Sequence, residues 1–588
     1  MKKKTRPFPA VTMKADLRIV PPQWMDWCIA HGFWITIGMA LVIHLSHLIS
    51  VRQTDPLYAQ PLSGADPETY WKWALSLAGG DWLSMEVTGG KAFYYNPLYA
   101  YFLAPFIKIF GARFGPPHLA QALLGACIPL VQWLTARQMF GRGAALATGL
   151  LTAACAPLLF YEQMLLGEVL VVFFFSTAIW ALVMGCDNER LSSAWFAAAG
   201  LATGIASAGR GNGVMLLPII AVALVAWVRL NRRGPMLNGI KAGAIYLLGA
   251  APPLLLIVWR NHHVAGAWAL TTNAGPMFYI GNAHDSMGVF SNPASYDAIM
   301  KKYAGSAVPW LGELARSIAG HPLAFLQLLF VKVWLFLNSY DVADNVSYYL
   351  YARILPVLRW SPFTWATIVA LGVYGIWVTR GDWRRQLVLY AFAVGFMASI
   401  VIVLVVGRYR LAFLLPMLIW AGAGVAEIVR GWLRRDSRQL VVAATVILVC
   451  GLLLHPWFSA SIRRNAPRNA GIREIRMNDY SILANAYANA GRREEGIELL
   501  RMGTNEHPWE SLLATQMATE LNKAGRHTEA LGTLREYQKR FPGEARTGYK
   551  LAAYLVNDKE TTQAKVVLQA VLKAAPQNSE AQRLIKGL

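Results

Sequence analysis

The stretch between Ser63 and Tyr101 carries the residues best suited to chemistry. Four acids lie in it among several tyrosines and tryptophans, and it is too polar to cross a bilayer. Aromatic side chains with one polar end favour the membrane–water interface, so we expect this stretch to lie on a membrane surface. Acids at such an edge are unfavourable unless a cation or a function accounts for them. Asp66 is therefore our candidate general base for a hydroxyl nucleophile.

The residues around Asp66 also permit a purely structural interpretation. Asp is a good N-cap and Pro suits the first helical turn, so Asp66 would only cap a helix that begins at Pro67. Glu168, in the segment FYEQMLLGEVL, is the second candidate acid. It either orients a substrate hydroxyl or forms a structural ion pair with an arginine.

Four arginines are predicted at the ends of apolar segments on the same face as this stretch. A guanidinium forms bidentate contacts with phosphate, so these residues are candidates for binding a phosphate group. The alternative is contact with anionic lipid headgroups. In order of preference the candidates are Arg408, Arg260, Arg210 and Arg410.

Composition indicates an integral membrane protein. Of 588 residues, 55% are hydrophobic and 15% charged, below the roughly 25% charged residues of soluble domains. The net charge of +22 comes from basic clusters between apolar segments, as the positive-inside rule predicts, and no nucleic-acid-binding motif accompanies it. We therefore expect no nucleic-acid partner. The five cysteines lie in or beside apolar segments without CxxC spacing, which favours neither a disulfide nor a zinc site.

Eleven apolar segments are long enough to be predicted as spans. They cover residues 32–51, 117–136, 143–160, 165–184, 193–209, 212–229, 240–259, 362–379, 386–406, 410–429 and 438–457. Two further segments, 97–110 and 322–339, are predicted to be interfacial or re-entrant, because only then do all basic clusters face one side. That side is cytoplasmic and includes the N-terminus.

The composition changes after residue 459 to a polar, helical sequence with a fixed period. Prolines recur 34 residues apart at Pro508, Pro542 and Pro576, and Gly491 and Gly525 show the same spacing. Each unit reads as two amphipathic helices around a turn, which resembles tetratricopeptide repeats. A helical hairpin bundle with chance spacing is the alternative.

Several segments in order along residues 63–420 carry a family resemblance. They are DPETYWKWA, YYNPLYAY, GLATGIASAGRGNGVMLLP, RNHHVAG, TTNAGPMFYIGN, NSYDVADN and GRYRLAFLLP. Together they resemble the GT-C superfamily of polyprenyl-phosphate-sugar glycosyltransferases, and most closely the bacterial relatives of protein O-mannosyltransferases and of the aminoarabinose transferase for lipid A. The chain departs from the latter at Tyr95-Asn96, where that enzyme has a Glu-Lys pair.

The resemblance implies an enzyme that moves a sugar from an undecaprenyl-phosphate donor to an acceptor outside the cytoplasm, with inversion at the anomeric carbon. Asp66 and Glu168 would be the catalytic acids, and the four arginines would bind the donor phosphate. The implied substrate-binding residues are Glu68, Tyr70, Tyr95, Asn96, Tyr99, Asn273, Asn282 and Asp341. A divalent metal ion with the loop acids is left open. The sugar and the acceptor are not defined by the sequence.

The predicted fold is therefore an all-α polytopic membrane protein with a GT-C-type core and a C-terminal α-solenoid. We predict a basic cytoplasmic N-terminus, a membrane domain with two external loops, a linker and a repeat domain, at residues 1–31, 32–458 (loops 52–116 and 260–321), 459–478 and 479–588. The expected location is a bacterial inner membrane with the repeat domain on the external side. Expected partners are the lipid donor, membrane lipids and a protein or peptide acceptor that the repeats would bind. The alternatives are an O-antigen polymerase or ligase-like enzyme and a non-catalytic scaffold or transporter.

Overall fold

The computed structural model describes residues 22–303, 308–455 and 475–588, and within these ranges the chain is helical without strands. The predicted all-α membrane fold is confirmed. The chain divides into two compact units, one of residues 1–54 and 63–473 and the other of residues 55–62 and 474–588. Most of the predicted linker 459–478 lies outside the described residues.

The first unit contains long apolar helices and shorter connecting ones. The helices are α1 (Gln23–Ala30), α2 (Gly32–Thr54), α3 (Asp66–Ala78), α4 (Met85–Thr88), α5 (Leu98–Phe110), α6 (Gly115–Phe140), α7 (Arg142–Ala153), α8 (Ala156–Glu162), α9 (Glu168–Asp187), α10 (Ser192–Gly209), α11 (Leu216–Trp227), α12 (Met236–Ala265), α13 (Ala274–Asn282), α14 (Tyr296–Tyr303), α15 (Val308–Gly320), α16 (Pro322–Leu337), α17 (Tyr348–Ile354), α18 (Pro356–Trp360), α19 (Trp365–Thr379), α20 (Leu387–Val403), α21 (Leu414–Leu433) and α22 (Ser437–Leu454).

Seven helices in the described part of the chain are long and apolar enough to cross a membrane, or nine if each of two bent pairs is one span. One bent pair, α7 with α8, covers the predicted span 143–160. The predicted spans 193–209, 362–379 and 386–406 form helices of 18, 15 and 17 residues. In the described part of the chain each of the eleven predicted spans is therefore mainly helical, while the number that crosses the bilayer stays a prediction.

The two segments predicted to be interfacial are also helical. Residues 97–110 form the 13-residue α5, which packs on α3. Residues 322–339 form α16, which bends by 106° from the preceding helix at Trp310–Gly320. A bend of this size fits either a broken span or a re-entrant loop, so the re-entrant character of this segment stays a prediction.

Helices α9 and α21 lie at the centre of the membrane unit. In each, 72% of the most apolar window is buried inside the protein, against 11% for α22 at the periphery. A 3₁₀ segment at Gly407–Phe413 leads directly into α21. The first residue of α9 and the residues just before α21 are therefore inside the protein, where their polar side chains contact other residues and not lipid.

The second unit is built of consecutive antiparallel helix neighbours. Its helices are α23 (Met477–Asn489), α24 (Arg493–Glu506), α25 (Ser511–Lys523), α26 (His527–Arg540), α27 (Ala545–Asn557), α28 (Thr561–Ala574) and α29 (Ser579–Lys586). The 34-residue period is visible in the backbone, because Gly491, Gly525 and Lys559 all adopt positive φ, at 78°, 79° and 64°. Within the same unit, Gln60 Nε2 donates to the Ala486 carbonyl at 2.8 Å. The tetratricopeptide assignment stays a prediction.

Candidate functional site

Asp66 is the first residue of α3, and its carboxylate does not cap the helix. It accepts a hydrogen bond from Arg408 Nη2 at 2.5 Å, and the two residues are 342 positions apart in the chain. The Asp66 side chain is 21% exposed, so it is reachable from outside the protein. The capping interpretation therefore does not describe the contacts of this side chain.

Arg408 is the centre of a charged cluster at the start of the 3₁₀ segment before α21. Its side chain is only 9% exposed, and its guanidinium contacts three carboxylates. Nη2 binds Asp66, Nε pairs with Asp344, and Nη1 lies 3.7 Å from Glu168 Oε1. A planar guanidinium is the cation suited to several simultaneous carboxylate or phosphate contacts. We call Asp66, Glu168, Arg210, Asp344 and Arg408 the charged cluster.

Glu168 and Arg210 complete this cluster. Glu168 is buried at the first position of α9, and its Oε1 accepts a hydrogen bond from Arg210 Nη2. The Arg210 guanidinium carbon lies 4.2 Å from the centre of the Tyr409 ring, and that of Arg408 lies 5.1 Å from the same ring. Tyr409 thus holds both guanidinium groups through cation–π contacts. The ion-pair alternative for Glu168 matches the structure, while a role in substrate binding stays a prediction.

Asp341 lies beside the cluster in the loop between α16 and α17. Its Oδ1 accepts a hydrogen bond from the Tyr161 hydroxyl at 3.0 Å, and its Oδ2 is 4.0 Å from Arg410 Nη2. Burial raises the pKa of Asp341 to about 6, although Arg410 and the Tyr161 hydroxyl lower it. A Cβ at Gly407 would lie 2.3 Å from Asp341 Oδ1, so only glycine allows this approach next to Arg408. Asp341 is therefore a partly buried acid, next to Tyr161 and Arg410, whose pKa is above the usual range of a carboxyl group.

The predicted tyrosines form a wall next to Asp66. Tyr70 stands one turn after Asp66 in α3, with its ring centre 6.1 Å from that of Tyr95 and 5.4 Å from that of Tyr99. Burial and the nearby Asp66 carboxylate raise the pKa of Tyr70, so it stays neutral. The side-chain oxygen of Asn96 lies close to Gly211, the neighbour of Arg210. The 63–101 stretch therefore places aromatic rings and the Asn96 amide next to the charged cluster.

Two of the four predicted phosphate-binding arginines are bound by other protein groups. Arg260 donates to the carbonyls of Leu83, Ser84 and Lys91 and to the side chains of Thr88 and Asn261. Arg410 donates to the carbonyls of Leu335, Phe336, Asn338 and Tyr340. Both guanidinium groups fasten loops to the membrane unit. Of the four candidate arginines, Arg408 contacts Asp66 and Arg210 belongs to the same charged cluster, whereas Arg260 and Arg410 lie outside it.

Three predicted substrate-binding residues lie in other hydrogen-bond networks. Glu68 faces away from the cluster, where it pairs with Lys72 at 2.8 Å and accepts from the Gly64 amide at 2.6 Å. Asn282 is buried against the end of α20 and accepts from Lys332 Nζ at 2.6 Å. Asn273 accepts from the Thr271 hydroxyl at 2.9 Å before α13. None of these contacts involves Asp66 or Arg408.

Two features of the site were not predicted from sequence. One is Asp344, whose signal was its position three residues after Asp341 in NSYDVADN. The other is a buried pair between His44 Nδ1 in α2 and Glu162 Oε2 at the end of α8. A Cβ at Gly125 would lie 1.7 Å from Glu162 Oε2, so a glycine at this position is required for the pair to fit. Ionisable residues inside apolar segments are the signal that could have identified it.

The His44–Glu162 pair is connected to the tyrosine wall by hydrogen bonds. Gln121 Nε2 donates to the Glu162 carbonyl at 2.6 Å, and the Tyr99 hydroxyl donates to Gln121 Oε1 at 2.8 Å. All four side chains are buried. The network therefore connects α2, α5, α6 and α8 to one another next to the tyrosine wall, which limits the movement of Tyr99.

The cluster offers a carboxylate base and two guanidinium groups within one small volume. Its acids are already paired with arginines, and no group of three His, Cys, Asp or Glu residues among those that the structure describes could hold a metal ion. A carboxylate such as that of Asp66 is able to accept a proton, and guanidinium groups such as those of Arg408 and Arg210 are able to neutralise an anion.

Fold and site together define a multi-pass, all-α membrane protein with a charged cluster at the end of two central spans. Residues 95–255 match the family model of the dolichyl-phosphate-mannose-protein mannosyltransferases. This segment includes Tyr95, Glu168 and Arg210, and the match confirms, over these residues, the predicted resemblance to the relatives of protein O-mannosyltransferases. A search of curated proteins found no match to the chain.

Solved structures of two enzymes were found to be similar. ArnT from Cupriavidus metallidurans bound to undecaprenyl phosphate is 17% identical over 88% of this chain and 81% of that chain, with a TM-score of 0.42. The archaeal oligosaccharyltransferase AglB from Archaeoglobus fulgidus, in complex with an inhibitory peptide and a dolichol-phosphate, is 12% identical over 76% of this chain and 60% of that chain, with a TM-score of 0.44. The chain thus spans about 60% of the length of the archaeal enzyme.

Proposed function

We propose that this protein is a membrane glycosyltransferase that moves a sugar from a polyprenyl-phosphate donor to a hydroxyl acceptor. The observation that carries the proposal is the contact of Arg408 with Asp66, in a cluster that also holds Glu168 and Arg210. The match of residues 95–255 to a family described by its dolichyl-phosphate-mannose donor supports this donor class. A bacterial chain would use undecaprenyl phosphate as the lipid.

The proposed reaction is a single displacement at the anomeric carbon. The ionised Asp66 takes the proton of the acceptor hydroxyl while the hydroxyl oxygen forms the new bond to the anomeric carbon. The bond from that carbon to the phosphate oxygen breaks, and the polyprenyl phosphate leaves with the electron pair. Configuration at the anomeric carbon inverts. Arg408 and Arg210 neutralise the charge that develops on the departing phosphate.

The pairing in the cluster suggests how the donor would activate the base. Arg408 Nη2 donates a hydrogen bond to Asp66 Oδ2, so this oxygen is occupied and is not available to the proton of an acceptor hydroxyl. The cluster holds three carboxylates and two guanidinium groups, and a phosphate entering it must displace a carboxylate from an arginine. Asp66 is the more exposed of these carboxylates, so we propose that it is the one displaced. Donor binding would then free the base next to the anomeric carbon.

Transfer by the purified protein, with a panel of polyprenyl-phosphate sugars and a cell-envelope extract, tests this function. Asp66→Asn should lower turnover by about 10²- to 10⁴-fold, since a general base contributes this much. Asp81→Asn is the matched control in the same loop, because the Asp81 carboxylate binds Ser76 and the amides of Met85 and Glu86 and contacts none of the cluster. Equal turnover by wild type and Asp66→Asn would remove Asp66 as the base.

The acceptor and the orientation in the membrane are further parts of the proposal. We place the cluster and the repeat domain on the external side of a bacterial inner membrane, because the basic clusters of the sequence then face the cytoplasm. Stacked helix pairs have extended surfaces suited to peptides, so a protein acceptor is proposed. Deletion of residues 470–588 should abolish transfer to protein while the membrane unit stays folded. Unchanged transfer would refute a role of the repeats in acceptor binding.

A further inference from the structure

A groove of about 520 Å³ lies in the membrane unit, away from the charged cluster. Its walls come from α1, α7 and α21, and they are mainly apolar, with Met25, Ile29, Leu146 and Val429 among the lining residues. Arg430 and Arg434 line the same groove. Its volume is within the range of sites for small molecules, roughly 300 to 1,000 Å³. The groove therefore combines an apolar channel with a cationic end.

The groove and the charged cluster lie at opposite ends of α21. This helix has 20 residues, which at 1.5 Å per residue is about 30 Å, the thickness of the hydrocarbon core. The cluster precedes Leu414, whereas Arg430 and Arg434 are at the last turn. The groove is thus at the membrane face opposite to the proposed site of transfer, and it is too distant to hold the reacting phosphate.

Helix α1 has the features of a helix that lies in the membrane interface. It is eight residues long, and its Trp24 and Trp27 side chains are 63% and 58% exposed. Exposed tryptophans at this level favour the headgroup region of a bilayer. Trp24 is also a lining residue, so the mouth of the groove opens where lipid headgroups lie.

The charge at the groove favours an anion. Arg430 pairs with Glu427 at 2.9 Å, whereas Arg434 makes no ion pair with any residue that the structure describes. Arg435 and Arg438 follow within one turn, so basic residues outnumber acidic ones at this end of the groove. An occupant must have apolar chains for the walls and a negative headgroup for the arginines, and an anionic phospholipid has both.

We propose that this groove is a binding site for one anionic phospholipid of the leaflet opposite the transfer site. The acyl chains lie between α1, α7 and α21, and the phosphate contacts Arg430 and Arg434. The site ties the short α1 to the membrane unit through the lipid. This proposal is independent of the transfer reaction, because its readout is lipid retention and not turnover.

The test is native mass spectrometry of the full-length protein titrated in detergent with dioleoyl phosphatidylglycerol or with dioleoyl phosphatidylcholine. Wild type should retain one phosphatidylglycerol more tightly than any phosphatidylcholine. The double variant Arg430→Gln/Arg434→Gln should bind that molecule about thirtyfold more weakly, if each arginine contributes the usual attraction to an anionic lipid. The matched control is Arg380→Gln/Arg384→Gln, which changes two arginines that do not line the groove and should bind as wild type.

A second variant separates the groove from mere surface charge. Gly143 lines the groove, and a Cβ there would meet no atom within 4 Å. Gly143→Leu should therefore place an apolar side chain in the groove and lower retention while both arginines remain. The proposal is overturned if Gly143→Leu binds as wild type, if the two lipids are retained equally, or if a second copy of the chain occupies the groove and appears as a dimer without bound lipid. Melting temperatures of the variants confirm that each is folded.

Discussion

Replacing Arg408 with lysine tests whether the site needs the shape of a guanidinium or only its positive charge. The Arg408 side chain reaches Asp66 with Nη2 and Asp344 with Nε, and Nη1 approaches Glu168 to 3.7 Å. A lysine ammonium is a point charge and can hold only one of these carboxylates at contact distance. The net charge of the cluster is unchanged by Arg408→Lys. Any effect therefore comes from the lost geometry.

The expected magnitude follows from the contacts that a lysine cannot make. One of the two close carboxylate contacts is lost, and a hydrogen bond to a charged group contributes about 1.5 to 3 kcal/mol. The longer contact with Glu168 is weakened as well. We expect the activation free energy of transfer to rise by about 2 to 3 kcal/mol, which lowers the rate about 30- to 150-fold. Arg408→Gln is less informative, because it leaves buried carboxylates without their cation and should lower stability by about 3 to 5 kcal/mol.

The assay measures turnover at saturating donor together with the apparent donor affinity. Both should decline in Arg408→Lys, since the guanidinium is proposed to bind the phosphate and to stabilise it as it departs. In the double variant with Asp66→Asn, the two losses should not add, because one interaction joins the two residues. Arg384→Lys is the matched control, since the side chain of this exposed arginine lies against the Trp383 ring and is not part of the charged cluster.

Retention of more than half of wild-type turnover by Arg408→Lys would refute the reasoning. A single point charge would then suffice, and the contacts of the guanidinium with three carboxylates would be structural only. Fully additive losses in the double variant would show that Asp66 and Arg408 act in separate steps. A melting temperature equal to that of wild type is needed for either conclusion.

Three further predictions concern stability and are read as melting temperatures. The pKa of Asp341 is about 6 in the folded protein, against an ordinary value of 3.8, so the folded state keeps this proton to a higher pH than the unfolded state does. The free energy of unfolding should therefore decrease as pH rises from about 4 to 6, by about 3 kcal/mol at most. Asp341→Asn should remove this pH-dependent component. Gly125→Ala should cost about 1 to 3 kcal/mol because its Cβ would overlap Glu162, whereas Gly38→Ala, with no atom within 4 Å of a Cβ, should cost nothing. Lys559→Gly should stabilise the repeat unit by about 1 kcal/mol, since Lys559 has a φ of 64°, and an unchanged melting temperature would refute this.

Much of the fold could be predicted because its determinants are local. Apolar segments of about 20 residues must form helices in a bilayer, where backbone groups have no water to bind, and in the described part of the chain each of the eleven predicted spans is mainly helical. The 34-residue period likewise repeats a local turn, seen at Gly491, Gly525 and Lys559. Domain limits were less accessible, since residues 55–62 belong to the second compact unit.

The charged cluster could be predicted only in part. The acid at Asp66 was apparent from the sequence alone, because an acid in an interfacial, aromatic-rich stretch needs a partner or a function. Arg408 was the preferred one of four candidate arginines, but as a phosphate ligand and not as the partner of Asp66, and Asp344 was not among the candidates. Arg260 is a clear case, since its predicted position at the end of a span suggested a phosphate contact, while its guanidinium binds the carbonyls of Leu83, Ser84 and Lys91.

The sequence by itself determined which residues are apolar, which helices form and where an acid meets the membrane edge. The tertiary structure decided which cation meets that acid, because Asp66 and Arg408 are 342 residues apart and their contact depends on how α3 and the segment before α21 pack. It also decided the burial of His44 with Glu162, which needs the space left by Gly125 in a third helix. Pairing energies of charges depend on distance and burial, and neither is a property of local sequence.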